Sequence, residues 1–340
     1  MKPPDSGQFI GSLIGQCLGD AMGFPVEGQS YQVCRDYVRE LIVEGPGLKA
    51  RPGFVLGQYS DDSQLARELI LSYVARKRFD PMDYAARIAD LFSRGRVIGG
   101  GLSTREAAIR LARGAPWDQA GEPSPSAGNG SAMRAGPIGL MFFDDFKSLV
   151  NAAQDQGIIT HKDIRCSAGA VAIAGAVGLA LEQKEIDSVN FLTGIAKLSC
   201  MIDPAAKTVF TALIDWVNLD PGEALKSIVL AGYAMGSVDN WQGLSPFVTG
   251  SVLWSLYSFL RSPHSFLDTM ATAIEVGGDV DTTAAMAGAI SGAYLGIENL
   301  PQNLAEHLTD QGEWGYEDLI QLAVTLYEIK VQLGISEPYP

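Results

Sequence analysis

Glycine recurs at every fourth position in two stretches, at Gly11, Gly15, Gly19 and Gly23 near the start of the chain and at Gly288, Gly292 and Gly296 near its end. Residues four apart share one face of an α-helix, so each stretch presents a stripe without side chains. Such a stripe lets a second helix approach backbone to backbone, and tight helix packing accounts for both stretches without any chemistry. The core is therefore expected to be helical. Apolar residues at helical spacing across 9–22 and 65–74 agree, while strand alternation is scarce. Ser103 with Glu106 and Ser265 with Asp268 read as capping boxes, and Pro81, Pro204 and Pro221 stand where a first helical turn would start. Turn-rich segments at 45–53 and 114–130 separate helices; the second is the longest irregular stretch, and long loops often carry function. No break in composition and no repeat divides the sequence, which predicts an all-α fold in one multi-helix domain over 1–340.

Composition narrows the function classes. Lys and Arg number 25 against 39 Asp and Glu, a net charge of −14, and no basic stripe offsets it, so direct nucleic-acid binding is not expected. The short run Arg76, Lys77, Arg78 reads as the cationic end of a helix. Cys17, Cys34, Cys166 and Cys200 lie far apart, which indicates neither a zinc knuckle nor a disulfide framework and fits a reducing cytoplasm. The N-terminal MKPPDSGQF lacks the charged and apolar regions of a secretory leader. The uncharged stretches 166–181 and 282–297 are shorter than the about 20 residues that a bilayer requires. Segment 240–260 is long enough, but its four serines, one threonine and Pro246 favour a buried helix over a membrane span. No membrane association is expected, and 47% hydrophobic residues suffice for a large core. Nothing in the sequence sets the oligomeric state.

Two acidic clusters stand apart from the general surface charge. Gly57-Gln58-Tyr59-Ser60-Asp61-Asp62-Ser63 is a glycine-led turn running into a helix expected to start near Gln64. Gly277-Gly278-Asp279-Val280-Asp281-Thr282-Thr283 likewise leads into an apolar helix. A helix cap with acids at the positive end explains either cluster alone. Both, however, crowd hydroxyl and carboxylate oxygens within one or two positions beside apolar helices, and such carboxylates repel unless a cation sits between them. Hard ions such as Mg²⁺ or Mn²⁺ take these oxygens, so the two clusters could clamp a two-metal centre, although spacing alone gives no reason for them to meet.

Three further segments offer parts of a site. Gly15-Gln16-Cys17-Leu18-Gly19-Asp20-Ala21-Met22-Gly23-Phe24-Pro25-Val26-Glu27 ends a helix and leaves Glu27 in the following loop, either solvated or aimed into a cleft. Gly128-Asn129-Gly130-Ser131-Ala132-Met133-Arg134 resembles a backbone nest opening a helix, which suits a pyrophosphate without basic side chains. Thr160-His161-Lys162-Asp163 opens an Ala/Gly-rich helix. His161 is expected to cap that helix or lie exposed, with ligand contact as the third possibility.

In this order the segments resemble the ADP-ribosylglycohydrolase family. The carriers are Gly15 with Gly19-Asp20-Ala21, Gly23, Pro25 and Glu27; Ser60-Asp61-Asp62; Gly128-Asn129-Gly130 with Ala132-Met133-Arg134; Thr160-His161; and Gly277-Gly278-Asp279 with Asp281-Thr282. A weaker match covers 98–104. The resemblance implies an orthogonal all-α bundle whose central cleft holds two Mg²⁺ or Mn²⁺ ions, with Ser60, Asp61, Asp62, Asp279, Asp281 and Thr282 as ligands and Asp62 also serving catalysis. It further implies that Glu27 contacts the terminal ribose as acid or base, that the loop Gly128 to Ser131, Gly130 and Ser131 included, cradles the pyrophosphate with Asn129 near the distal ribose, and that His161 lies at the cleft edge. The implied reaction frees ADP-ribose from a modified protein side chain or a small conjugate. Ser60 departs from the family's threonine, Val280 fills a position often held by threonine, and Ser126 stands where some relatives place an acid. Two rivals remain open at this point: a non-catalytic ADP-ribose-binding or structural relative, and a two-metal phosphatase or phosphodiesterase. Metal-binding histidines would favour the phosphatase, and the chain has only His161, His264 and His307.

Overall fold

The two glycine stripes meet. In the computed structural model, which describes residues 4–233 and 241–332, α1 (Ser6–Gly23) lies against α14 (Val280–Leu295) along most of its length. A Cβ at Gly11 would strike the carbonyl oxygen of Gly292, one at Gly15 that of Gly288, and one at Gly19 that of Ala284. Any side chain there would hold the backbones apart, so the stripes fix the central helix pair.

Sixteen α-helices and no β-strand occur among the described residues. After α1 come α2 (Tyr31–Val38), α3 (Asp61–Arg76), α4 (Pro81–Ser93), α5 (Leu102–Ala112), α6 (Gly136–Phe142), α7 (Phe146–Ile158) and α8 (Ile164–Glu182). The second half runs through α9 (Ser188–Ser199), α10 (Pro204–Trp216), α11 (Pro221–Tyr233), α12 (Val248–Arg261), α13 (Phe266–Ile274), α14, the single turn α15 (Gln302–Ala305) and α16 (Tyr316–Tyr327). Around the central pair, α16 and α3 pack on α1, while α8, α12 and α13 pack on α14. The apolar side chains of these helices form one continuous buried cluster from Phe9 to Ile329.

Local signals held where the chemistry was unambiguous. Pro81, Pro204 and Pro221 each open a helix, Ser265 caps α13 by accepting from the Asp268 amide, although the reciprocal half of the box is missing because the Ser265 amide donates to Ser262 O at 3.1 Å, and α3 ends at Arg76 with Lys77 in the left-handed region at φ 55°. Several expectations are corrected. Ser103 does not cap α5, whose cap is Gly101, and the Ser103 hydroxyl instead lies 3.4 Å from that of Ser126. α3 starts at Asp61 rather than near Gln64, because the Ser60 hydroxyl already accepts from the Asp62 amide. Asp163, not His161, caps α8 through the Arg165 amide. A box between Asp5 and Gln8 opens α1 unannounced. In segment 240–260 the helix begins only at Val248, and Asn240 lies outside the described residues, as do residues 1–3. The stretch 166–181 belongs to a 19-residue helix, and by length and composition both it and Ser6–Val26 are apolar enough to cross a membrane; both lie mostly buried inside the molecule.

Candidate active site

Asp20 organises the first acidic cluster. From the wall of α1 its carboxylate accepts the Ser60 amide at 2.9 and 3.0 Å, the Ser63 amide at 3.1 Å and the Ser63 hydroxyl at 2.7 Å. These contacts pull the start of α3 onto α1, and the Asp61 amide donates to Ile98 O at 2.8 Å. The second cluster depends on two glycines: Gly277 and Gly278 have φ of 73° and 86°, and a Cβ on either would collide with backbone. That turn is clamped on both sides. Gly278 accepts from the Gly28 amide at 2.8 Å and donates to Gln29 O at 2.9 Å, while Leu244 exchanges two bonds with Gly277 and Asp279 at 3.0 and 2.9 Å. The loop that follows Glu27 is thereby fixed beside Asp279 and Asp281.

Thr282 joins the two clusters, its hydroxyl lying 3.3 Å from Asp62 Oδ2 and 3.2 Å from Asp279 Oδ1. Asn129 donates to Asp279 Oδ2 at 2.5 Å and to Ser251 Oγ at 3.0 Å. Its own loop is tied to the segment before α12 by bonds from the Asn129 amide to Pro246 O at 2.9 Å and from the Val248 amide to Ala127 O at 3.0 Å. The result is a cleft of about 360 Å³, lined by Glu27, Asp61, Asp62, Asn129, Gly130, His161, Asp279, Asp281 and Thr282 together with Thr104, Met133 and Trp241.

Carboxylate oxygens of Asp20, Asp62 and Asp281 all lie within 4.8 Å of one another, and so do those of Glu27, Asp279 and Asp281. Crowding in a buried place disfavours ionisation. Burial, with Asp20 and Glu27 adding to it, raises Asp61 to about 8; burial, with Glu27 adding to it, raises Asp279 to about 7. Burial and then Asp20 and Asp61 hold Asp62 well above the usual carboxylate range, and burial, Glu27 and Asp62 do the same to Asp281. Asp62 Oδ1 is buried with no hydrogen-bond partner. An oxygen so placed lacks a donor or a cation, and the surrounding oxygens are the hard donors that Mg²⁺, Mn²⁺ or Ca²⁺ take. The residues present thus fit a bound divalent metal. Asp20 fits it least, because its oxygens already accept from Ser60 and Ser63.

Other anticipated residues divide by geometry. Ser60 is buried and donates to Asp62 Oδ2 at 2.8 Å, and Val280 is buried in the core. Ser131 does not line the cleft with its side chain, because its hydroxyl turns to Cys166 O at 3.0 Å. His161 is neither a cap nor exposed: it is buried, lines the cleft, and burial and then the Arg134 charge push its imidazole down to about 3. Glu27 is half-buried and ion-paired with Arg51 at 2.6 Å, while the Arg51 guanidinium stacks 4.5 Å over the Phe24 ring. Arg51 and Asp20 were not singled out from the sequence. Asp20 stood inside a quoted motif and could have been found as an acid on an otherwise apolar helix; Arg51 lies in a turn with no periodic signal.

Against known families, a model described as ADP-ribosylglycohydrolase matches residues 1–333. The chain belongs to the ADP-ribosylglycohydrolase family. Similar ADP-ribosylglycohydrolase relatives include ADP-ribosylhydrolase ARH3 of Gallus gallus, 29% identical over 97% of this chain and 95% of the relative. The Xenopus tropicalis ARH3 is 31% identical over 93% and 95%, and the ADP-ribosylarginine hydrolase Tri1 of Serratia proteamaculans is 24% identical over 88% and 75%. A solved structure described as an ADP-ribosylglycohydrolase-related protein complex superposes with a TM-score of 0.68 at 24% identity, over 96% of this chain and 99% of that one, which supports the fold.

Proposed function

We propose that this ADP-ribosylglycohydrolase cleaves the bond between the anomeric carbon of ADP-ribose and its acceptor, a modified protein side chain or a small conjugate, with two Mg²⁺ or Mn²⁺ ions in the cleft. The observation that carries this reading is the two carboxylate groups that share Asp281, with Asp62 of the first group bearing a buried oxygen that has no hydrogen-bond partner. Ser60, Asp61, Asp62, Asp279, Asp281 and Thr282 would hold the ions, which when bound supply positive charge for ribose hydroxyls and an acidified water. Asp62 is assigned to that water as well as to the metals. Glu27 stands at the cleft wall with its carboxylate ion-paired to Arg51, so Glu27 is assigned as the acid/base, taking a proton from the attacking water and passing it to the departing acceptor. Asn129 is fixed by Asp279 and Ser251, and the diphosphate is assigned to the stretch of cleft lined by Gly128, Asn129 and Gly130.

We treat the whole chain as one such domain, and place it in a reducing cytoplasm because all four cysteines are unpaired. The test is incubation with a panel of defined ADP-ribosyl conjugates, with Mg²⁺ or Mn²⁺ and after chelation. Free ADP-ribose that disappears with the metal supports the proposal. Release of AMP or phosphate instead would make the protein a phosphodiesterase or phosphatase, and binding without turnover would make it a receptor.

A further inference from the structure

Behind the wall of the cleft runs a buried chain of polar contacts that the reaction above does not use. Arg134 is fully buried; its Nε donates to Gln156 Oε1 at 2.9 Å, and Nη2 donates to Gln156 O at 2.9 Å and to Thr160 Oγ1 at 2.8 Å. A guanidinium only donates, so Thr160 Oγ1 is an acceptor there and its own hydrogen needs another acceptor. His161 Nδ1 lies 2.8 Å from that oxygen. Nδ1 must then present its lone pair, which puts the proton of a neutral imidazole on Nε2. Ring orientation is fixed as well. The His161 amide donates to Gly157 O at 2.9 Å, and a Cβ on Gly130 would come within 2.6 Å of Cε1 and 3.1 Å of Nε2, so the ring can lie against Gly130 only because that residue has no side chain. With Nδ1 turned inward to Thr160, Nε2 is the nitrogen on the cleft side.

We propose that Arg134 and Thr160 are positioning residues that lock His161 as a neutral Nε2–H donor, which binds an acceptor oxygen of a diphosphate in the cleft and neither gives nor takes a proton. The diphosphate half of this statement rests on the ADP-ribose reading, and the tautomer half does not. The low imidazole pKa, set by burial and by Arg134, acts in the same direction by keeping the ring uncharged. A donor without charge suits a cleft whose carboxylate end would hold the cations, because it would orient the diphosphate without adding a second strong anion trap.

The experiment is nitrogen NMR on the full-length protein labelled with ¹⁵N-histidine. Three histidines make assignment by His161→Gln direct. At neutral pH His161 is expected as the Nε2–H tautomer, and ADP-ribose added with Mg²⁺ is expected to move Nε2 and leave Nδ1 nearly still. Thr160→Val removes the hydroxyl at nearly constant shape; it should release the tautomer and weaken ADP-ribose binding about five- to tenfold, the scale of one lost hydrogen bond. Thr160→Ser should restore both. An Nδ1–H tautomer or an imidazolium in the wild type overturns the proposal whether or not the variants fold, and an unchanged tautomer in Thr160→Val overturns the positioning role. ADP-ribose that binds without moving Nε2 overturns the donor role. Absence of any ADP-ribose binding sinks the functional reading instead, and the tautomer spectra still decide the role of Thr160, with Arg134→Lys, which loses the Nη2 contact to Thr160, expected to release the tautomer as well.

Discussion

Melting the protein with and without a divalent cation, at two pH values and beside an Asp279→Asn variant, tests the metal centre through its electrostatics. Asp279 is buried, and its pKa is raised from 3.8 to about 7 by burial first and by Glu27 among its charged neighbours. A carboxyl whose folded pKa lies above its unfolded value favours the folded state when protonated. That contribution is whole below the unfolded value and is lost as pH rises through the folded one. Between about pH 5 and about pH 7 the unfolded group is ionised and the folded one is not, so about two units are lost, or on the order of 3 kcal/mol at 1.36 kcal/mol per unit. At about 2.1 cal/mol/K per residue over 340 residues, the unfolding entropy is about 0.7 kcal/mol/K, which makes this about 4 °C for one group. The chelated wild type should therefore lose about 4 °C more than Asp279→Asn on going from about pH 5 to about pH 8. Mg²⁺ or Mn²⁺ should restore the wild type at the higher pH and act weakly at the lower, where protons compete for the same oxygens. Calorimetry gives both quantities. Identical pH profiles for the two proteins, with no rise on adding metal at the higher pH, would refute the reasoning.

Three other outcomes are expected. Asp62→Asn and Asp281→Asn should each remove most turnover while circular dichroism stays helical, because each replaces an anionic ligand by a neutral one of the same shape; near-normal rates would remove them from the metal set. Glu27→Gln should slow single-turnover hydrolysis by about 10²–10⁴-fold while calorimetric ADP-ribose binding persists, and joint loss of both would recast Glu27 as a ribose anchor. Gly15→Ala places a methyl against Gly288 O between two backbones that cannot separate locally, so chemical denaturation should show a loss of at least about 1–3 kcal/mol, and an unchanged midpoint would contradict the packing.

Much of the fold was legible because local rules act on few neighbours. A proline at N1 has its φ set for the helix, and a glycine stripe of period four can only serve close helix packing, so α1, α4, α10, α11 and α14 could be anticipated from residues alone. Caps were less legible. Ser103 has the residue pattern of a cap, but the loop before α5 arrives so that Gly101 occupies that position, and nothing local to Ser103 records it.

The site divides along the same line. By itself the sequence determined which oxygens are available: hydroxyls and carboxylates packed at helix starts, with no Cys or His among them, are hard donors wherever they end up. Tertiary structure decided that they meet, since it takes the contact of α1 with α14, Asp20 reaching to Ser60, and Leu244 bonding the Gly277 turn to bring the two clusters onto one cleft. It also decided the state of His161 and Glu27. A histidine after a threonine can be solvated or buried, and only the Arg134 guanidinium beneath Thr160 sets which nitrogen carries the proton. A loop glutamate can point anywhere, and only Arg51 stacked on Phe24 holds it at the cleft wall. Residue type fixes what an atom can donate or accept; burial and partners, which depend on contacts far along the chain, fix which of those options it takes.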